Sequence, residues 1–277
     1  MKVIACTGGK GGTGKSTFSL LLASKLARNA RVLLCDLDVE CPNLHLLFGK
    51  KLKNRKLIHL PYPKLEKDKC IKCGACSSVC KENAIFFSRG SYPLFFPELC
   101  NSCMACFLVC RQRAIRKARR VVGYHFTTRV SDRLWLITGK SALRFGETGI
   151  VVRRVKERAV ELAKKIRADY LIVDTAPGTH CNVIQALLGC DKIYVVTEPT
   201  PLGAHDLKLI LKLIQKLNIP AGIVLNKQGI GDESQIKAIA KMFKLEIEER
   251  IPYSKSIIDA YSQSKLSELS SLIGASL

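Results

Sequence analysis

Eight of the thirteen cysteines fall into two quartets of identical spacing, and this pattern constrains the fold more than any other feature. Each quartet reads C-x₂-C-x₂-C-x₃-C, and the second follows the first by 30 residues throughout. Such spacing holds two cubane iron–sulfur clusters when the fourth cysteine of each quartet binds the other cluster. We therefore expect one ligand set of Cys70, Cys73, Cys76 and Cys110, and a second of Cys100, Cys103, Cys106 and Cys80.

Zinc sites and disulfide bonds are the other common uses of clustered cysteines, and the pattern argues against both. Structural zinc sites usually combine two separated C-x₂-C pairs, whereas here three cysteines share one short turn. A disulfide framework requires a secreted protein, but the chain begins MKVIACTGGKGG, without an apolar signal region. We therefore expect a cytoplasmic protein that keeps its cysteines reduced.

A glycine-rich phosphate-binding loop lies near the N-terminus, between a strand and a helix. Residues 9–16 fit G-x₄-G-K-[ST], after the apolar run Val3–Cys6 and before a helical pattern that runs from Ser16 to Arg28. Backbone N–H groups of such a loop converge on phosphate oxygens, and the helix dipole favours the anion. We expect Lys15 to bridge the β- and γ-phosphates and Ser16 to bind Mg²⁺. The predicted cradle is Gly9, Lys10, Gly11, Gly12, Thr13, Gly14, Lys15, Ser16 and Thr17.

Three further apolar runs end in residues suited to a nucleotide site. Asp36 and Asp38 follow one run, where carboxylates can hold Mg²⁺ and an attacking water. Asp174 ends the next, a Walker-B-like position, and the glycine turn at Gly178 follows as a candidate γ-phosphate sensor. Asn226 ends the third, with an amide able to pair with a purine edge. Their order along the chain predicts one composite site.

Alternating strand and helix patterns predict an α/β fold, namely a P-loop NTPase parallel sheet with helices on both faces. The cysteine region interrupts this alternation, so we place an inserted α+β domain with two [4Fe–4S] clusters at residues 60–118. The nucleotide-binding domain is then split into residues 1–59 and 119–277, and the length suffices for both units.

The formal net charge of +22 makes the surface strongly basic, and residues 111–120 alone carry six positive charges. Clustered Lys and Arg can bind nucleic acids, but no recognition-helix signature or aromatic ladder accompanies them. We therefore favour attraction to acidic protein partners over a dedicated nucleic-acid function. No apolar stretch approaches the roughly 18 residues that span a bilayer, so no transmembrane segment is expected.

The C-terminal segment from Ile257 to Ile273 is amphipathic at helical spacing. A membrane-surface helix is one interpretation, but its polar face is mostly serine, whereas interfacial helices favour a basic face. We expect a helix packed on the sheet.

The chain resembles the MinD/ParA/Mrp superfamily of P-loop ATPases, in particular MinD-type members with an inserted two-cluster ferredoxin domain. The resemblance rests on the early lysine of the deviant P-loop, Lys10, and on the eight-cysteine insert. It extends to D-x-D at 36–38, Asp-Thr-Ala-Pro-Gly at 174–178, Val-Thr-Glu-Pro-Thr-Pro-Leu-Gly at 196–203, Leu-Asn-Lys at 225–227 and Arg-Ile-Pro-Tyr at 250–253.

This resemblance implies a homodimer that sandwiches nucleotide, in which Lys10 reaches the phosphates of the opposite protomer. It also implies that Asp38 positions the hydrolytic water and that Asp174 belongs to the Mg²⁺ shell. Adenine would lie against Asn226 and the Pro252 loop. Lys10, Lys15 and Asp38 are thus the expected catalytic residues.

Three functions remain open at this point. The first is an ATP-gated electron donor in which nucleotide state controls the two [4Fe–4S] clusters. The second is an iron–sulfur or metal-cofactor scaffold or carrier of the Mrp type, and the third is a ParA- or MinD-like positioning ATPase. Closed four-cysteine coordination favours the first, because cluster donation requires a labile site. The expected partner is accordingly a redox or cofactor-assembly protein, with ATP, Mg²⁺ and the clusters as cofactors.

Overall fold

The computed structural model describes residues 1–143 and 145–274. Within them the strands are β1 (Lys2–Thr7), β2 (Val32–Leu37), β3 (Lys56–Leu65), β4 (Ile85–Phe86), β5 (Leu94–Phe95), β6 (Ile115–Arg129), β7 (Leu134–Ser141), β8 (Tyr170–Thr175), β9 (Lys192–Thr197), β10 (Ala221–Gln228) and β11 (Ile247–Pro252). The helices are α1 (Lys15–Leu26), α2 (Leu44–Leu47), α3 (Ala75–Ser78), α4 (Ala105–Val109), α5 (Thr148–Lys165), α6 (Cys181–Leu187), α7 (Pro201–Leu217), α8 (Ser234–Phe243) and α9 (Lys255–Ser262). In this described part of the chain, no helix has both the length and the apolar character needed to cross a membrane.

The chain divides into two compact units. Unit 1 comprises residues 1–56, 125–140 and 148–277, and unit 2 comprises residues 57–124 and 141–147. Unit 2 thus extends beyond the predicted insert of 60–118 on both sides. The difference arises because β3 and β6, neighbours in one sheet, continue past the cysteine region at both of its ends.

Unit 1 contains the predicted α/β architecture, with β1 at the centre of a parallel sheet. Its strands follow the order β11-β10-β9-β1-β8-β2-β7, and the registered pairs are parallel. Every residue of β2 is buried, as expected for a strand covered by helices on both faces. Because the strands are parallel, the loops after β1, β2, β8 and β10 emerge at the same edge of the sheet.

Helix α1 anchors the phosphate-binding loop to the sheet. Its residues 18–23 are all fully buried, and the Phe18 ring meets the Tyr194 ring of β9 edge-on at 5.2 Å between centroids. The C-terminal segment packs against the same core through Leu266 and Ile273, and its main neighbour there is α1 rather than a strand of the sheet. It is not one helix, however: α9 ends at Ser262, and a 3₁₀ turn at Leu266–Leu272 buries Leu266.

Unit 2 is built on β3 and β6, of which the sequence patterns predicted neither as a strand. The segment that begins at His59 contains two prolines and several charged residues, yet it forms most of strand β3. This strand lies at the edge of its sheet, where Pro61 and Pro63 do not interrupt an inner hydrogen-bond ladder. The basic run after Cys110 likewise continues into the 15-residue strand β6.

The internal repeat of the cysteine region is present in the backbone of unit 2. Each half places a left-handed residue three positions before a short helix, a second immediately before that helix, and a third after its last cysteine. Non-glycine residues adopt this conformation rarely, so its recurrence at equivalent positions marks two copies of one local fold. The equivalent pairs are Lys72 and Ser102, Gly74 and Met104, and Asn83 and Arg113.

Candidate functional site

A cavity of about 460 Å³ lies in unit 1 beside the phosphate-binding loop. The sequence-predicted residues that line it are Gly11, Gly12, Gly14, Lys15, Ser16, Thr17, Asp38, Asn226 and Pro252. Five others do not line it and support it from behind or beside the loop, namely Gly9, Lys10, Thr13, Asp174 and Gly178. The residues predicted from five separate stretches of sequence therefore surround or support one cavity.

Two glycines of the loop are required by close contacts. Gly14 has φ of +92°, and a Cβ there would lie 2.0 Å from Nδ2 of Asn226. At Gly9 a Cβ would lie 2.5 Å from the backbone oxygen of Asp206. Any larger residue at either position would displace the loop from its neighbours.

Asn226 secures the loop through its amide nitrogen, which donates a 2.8 Å hydrogen bond to the carbonyl oxygen of Thr13. The side-chain amide has one further acceptor oxygen, Oδ1, and the residue lines the cavity. An acceptor oxygen at this position could receive a hydrogen bond from an N–H group of a purine base.

Ser16 lines the cavity, and Asp174 lies behind it. Ser16 Oγ donates to Asp174 Oδ2 at 2.6 Å, and Ser19 Oγ donates to Asp174 Oδ1 at 2.8 Å. Burial raises the pKa of the Asp174 carboxyl to about 6, and burial also lowers the pKa of the Lys15 ammonium. Burial thus disfavours both charged forms, and a bound cation near Asp174 and a phosphate near Lys15 would stabilise them.

The two carboxylates of the D-x-D segment occupy different environments. Asp36 is fully buried, and its Oδ2 accepts backbone hydrogen bonds from Asn43 and Leu44 at 3.1 Å each. Burial, then the neighbouring charge of Asp174, raises its pKa. Asp38 lines the cavity, and burial raises its pKa too. Asp36 therefore orders the β2–α2 loop, and Asp38 is the carboxylate that faces a ligand.

Glu198 pairs with two lysines around the phosphate-binding loop, and no sequence pattern predicts this role. Its two carboxylate oxygens form ion pairs with Lys10 at 2.6 Å and with Lys227 at 2.7 Å, and only 7% of its side chain is exposed. Lys227 also donates to the carbonyl oxygen of Gly12 at 2.9 Å, and Lys15 donates to that of Lys10 at 2.8 Å. An acidic residue just after β9, the strand beside the loop strand, is the signal that could have identified it.

One end of the cavity is apolar and aromatic. Tyr253 follows β11, and Ile257, Ile258 and Tyr261 belong to α9; all four line the cavity. Of this region, only Pro252 is predicted from the sequence. Aromatic and branched side chains provide a surface on which a nucleotide base can pack.

Unit 2 contains two further cavities, and each is lined by four of the eight cysteines. A cavity of about 480 Å³ is lined by Cys70, Cys73, Cys76 and Cys110, and one of about 20 Å³ by Cys80, Cys100, Cys103 and Cys106. The eight thiols therefore fall into the two sets expected from their spacing, with Cys80 and Cys110 exchanged between the halves. The second cavity is much narrower, with room for little more than one water molecule.

The thiols of both sets are arranged around a space rather than around one point. Within residues 1–143 and 145–274, no three His, Cys, Asp or Glu side chains are close enough to share one metal ion. In a cubane cluster each thiolate binds a different iron, so its four sulfurs are spaced more widely than the ligands of a single ion. Burial in apolar surroundings raises the pKa of Cys106 to about 11 and also raises the pKa of Cys76 and Cys100.

The five remaining cysteines lie outside both cavities. Cys6 and Cys35 are fully buried in the sheet of unit 1, as expected for small core residues, and burial raises the pKa of both. Cys190 is buried and accepts a hydrogen bond from Lys156 at 3.4 Å. Cys41 and Cys181 are exposed.

Comparison with known proteins assigns the chain to a family. The profile of the CobQ/CobB/MinD/ParA nucleotide-binding domain matches residues 4–267. An uncharacterised protein of Methanocaldococcus jannaschii is 38% identical over 94% of this chain and 89% of its own length. An iron–sulfur cluster carrier protein of Rickettsia felis is 24% identical over 95% of this chain, which spans 65% of that carrier. Among solved structures, the septum site-determining protein MinD of Pyrococcus horikoshii, in complex with Mg-ADP, matches with a TM-score of 0.59 and 16% identity over 97% of this chain and 88% of its own.

Replacing Glu198 by Gln removes the negative charge between Lys10 and Lys227 and keeps the side-chain shape. We expect ADP to bind about 5- to 30-fold more tightly, ~1–2 kcal/mol, because both ammonium groups become available to phosphate oxygens. Isothermal titration calorimetry measures the change, with the exposed Glu161→Gln as the control variant. Weaker binding by Glu198→Gln would contradict this role and show that its charge holds the loop in the binding conformation.

Proposed function

Since this chain belongs to the CobQ/CobB/MinD/ParA nucleotide-binding domain family, we propose that it is a Mg²⁺-dependent ATPase that gates electron transfer through two [4Fe–4S] clusters. The observation that carries the proposal is the sorting of eight cysteines into two four-thiol cavities in a chain that also holds a phosphate-binding cavity. A nucleotide cavity alone would support only a nucleotide-dependent switch. The reducing cytoplasm is the compartment that suits these thiols.

The nucleotide chemistry is assigned to the residues around the phosphate-binding loop. Lys15 would compensate the charge between the β- and γ-phosphates, and Ser16 would bind Mg²⁺ with Asp174 behind it in the outer shell. Asp38 lines the same cavity and would hold the attacking water. Adenine would pack against the Tyr253 end.

Dimer formation is assigned to Lys10. In the single chain its ammonium group is paired with Glu198 and does not line the cavity. A lysine placed beside its own site, rather than in it, would exchange Glu198 for the phosphates of a second protomer once ATP is present. We propose that two copies close face to face around two ATP molecules.

The donor sets of unit 2 suit iron–sulfur clusters in the number and chemistry of their thiols, but the second cavity would have to widen to hold one. Four thiols converge on each cavity, and their walls are largely apolar, with Ile115 lining one and Phe95 the other. When bound, a [4Fe–4S] cluster accepts and donates one electron without a change of ligands. The chain's part is to hold the thiols, exclude water and present the cavity mouths to a partner.

A cluster carrier is the second candidate function. The similarity to iron–sulfur cluster carrier proteins favours it, although it stands at 24% identity to the Rickettsia felis protein. Transfer would require a cluster to leave its four cysteines, whereas electron transfer requires it to stay. A positioning ATPase, as in MinD proteins, would give the two cysteine sets no role.

Iron content tests the cluster assignment. We expect about eight iron and eight acid-labile sulfide per chain after anaerobic purification, since each set can hold four of each. Cys73→Ser should remove about half of the iron, and Cys41→Ser should leave it unchanged. About four iron in the parental protein would show that the narrow second cavity holds no cluster, and stoichiometric zinc would refute both.

Two substitutions separate nucleotide binding from hydrolysis. Lys15→Ala should weaken ATP binding at least about 100-fold, because phosphate charge would be left uncompensated inside the loop. Asp38→Ala should keep ATP affinity within about threefold and lower turnover at least about 100-fold, because only water positioning is lost. ATP binding and phosphate release measure the two effects. Turnover of Asp38→Ala at the parental rate would refute the assigned water position.

Coupling between nucleotide and clusters distinguishes the electron donor from the carrier. We expect ATP, and not ADP, to shift the reduction potential or the EPR spectrum of the reduced, anaerobic protein, while iron stays bound. The shift should disappear in Lys10→Ala, because closure of the dimer is lost. Net cluster release to an apo-acceptor on addition of ATP would instead support the carrier. No ATP effect on potential, spectrum or cluster retention would refute coupling of either kind.

A further inference from the structure

The two halves of unit 2 repeat their cysteines but not the surroundings of their cavities. The first cavity is lined by Ile71 and Lys72, whereas the equivalent position to Ile71 in the second half is Asn101, which donates a hydrogen bond to Glu82 at 2.9 Å. Both Asn101 and Glu82 line the second cavity. A cluster fold needs only the cysteines and the turns, so this asymmetry calls for a different explanation.

The mouth of the first cavity carries positive charge that unit 2 leaves unpaired. Among the described residues no carboxylate lies within ion-pairing distance of Lys72 or Arg111, both of which line this cavity. The nearby Glu66 is already paired with Lys69 at 2.8 Å and Arg116 at 3.5 Å. Residues 57–124 contain twelve Lys and Arg against four Asp and Glu, so the local charge is positive even with two anionic clusters.

Aliphatic side chains lie beside these charges. Ile71 is 64% exposed and Val109 is 37% exposed, and both line the same cavity. Large apolar side chains at the centre of a charged rim are typical of protein–protein interfaces, where the apolar centre is buried and the charges steer the encounter.

We propose that Ile71, Lys72, Val109 and Arg111, here called the first rim, form the docking surface for a small acidic redox protein. This proposal rests on the proposed function, because it assumes that the four thiols of the first cavity hold a cluster. A cluster bound by these thiols would exchange one electron with the centre of the docked partner. One centre would be oxidised and the other reduced, and no bond would form or break.

An acidic protein fits the first rim better than a nucleic acid does. Binding to a nucleic-acid phosphate backbone depends on positive charge, and the exposed side chains of Ile71 and Val109 would bury no apolar surface there. The aromatic ring beside the rim, that of Tyr92, is covered by the ammonium groups of Lys72 at 4.6 Å and Lys67 at 5.5 Å. That ring is therefore not available to stack on a base.

The test measures binding of the full-length, iron-loaded chain to a fluorescently labelled, acidic ferredoxin-type protein as the probe. We compare the parental chain with the double variant Lys72→Glu/Arg111→Glu at about 20 mM and about 300 mM NaCl, salt concentrations that screen surface charge to different extents. Iron content is checked for each variant, so that a lost cavity is not mistaken for a lost surface.

We expect the double reversal to weaken probe binding at least about tenfold at low salt and to abolish most of the salt dependence. Two single reversals serve as matched controls: Arg89→Glu in unit 2 and Lys208→Glu on α7, both at exposed positions. Each should change affinity less than about threefold. Ile71→Ser should weaken binding at both salt concentrations alike, because it removes apolar contact and no charge.

Several outcomes would overturn the proposal. Equal losses in Arg89→Glu and in the double variant would show attraction to overall charge rather than to the first rim. A double variant that loses binding to labelled duplex DNA but keeps binding to the probe would assign the surface to nucleic acid. The proposed function fails separately: probe binding that depends on the first rim, without any ATP effect on the clusters, would retain the docking surface and reject nucleotide gating.

Discussion

The nucleotide site depends on the parallel pairing of β1 with β8, which sets Cys6 opposite Asp174 near the carboxyl ends of these strands. This register brings a buried carboxylate under the start of α1, where Ser16 and Ser19 donate hydrogen bonds to it. Helix α1 could not hold that position by hydrogen bonds alone; its fully buried face fixes it to the sheet. The phosphate-binding loop is thus held at both of its ends before any ligand arrives.

The charged residues around this loop lie in different environments. Burial disfavours the charged forms of Asp174 and Lys15, so bound Mg²⁺ and phosphate would stabilise those charges. Glu198 acts in the opposite sense, because it already satisfies Lys10 and Lys227. A bound nucleotide must therefore compete with an internal carboxylate for these two lysines, and this competition offers a physical route by which binding could change the conformation of the loop.

The fold of unit 2 is stabilised in a different way. One hydrophobic cluster of unit 2 has four buried members among the described residues, and two of them, Cys76 and Cys106, are predicted cluster ligands. Small units of this kind often rely on metals or cross-links for part of their stability. The cysteines would then serve stability and electron transfer together, which makes their substitution an ambiguous test unless iron content is measured.

The sequence by itself determined the α/β class and the phosphate-binding loop, because each depends on local spacing or on a period set by backbone geometry. The cysteine spacing also predicted two ligand sets, and the members of each set line one cavity of unit 2. Asn226 and Pro252, predicted near the base, line the cavity of unit 1. The sequence did not determine that β3 and β6 are strands, since prolines and basic residues disfavour strands locally and only pairing along the sheet edge overrides this. Nor did it reveal Glu198, the α9 wall of the cavity or the unequal rims of unit 2. Those features arise from residues distant in sequence that only the tertiary structure brings within contact, and no local pattern records such distances.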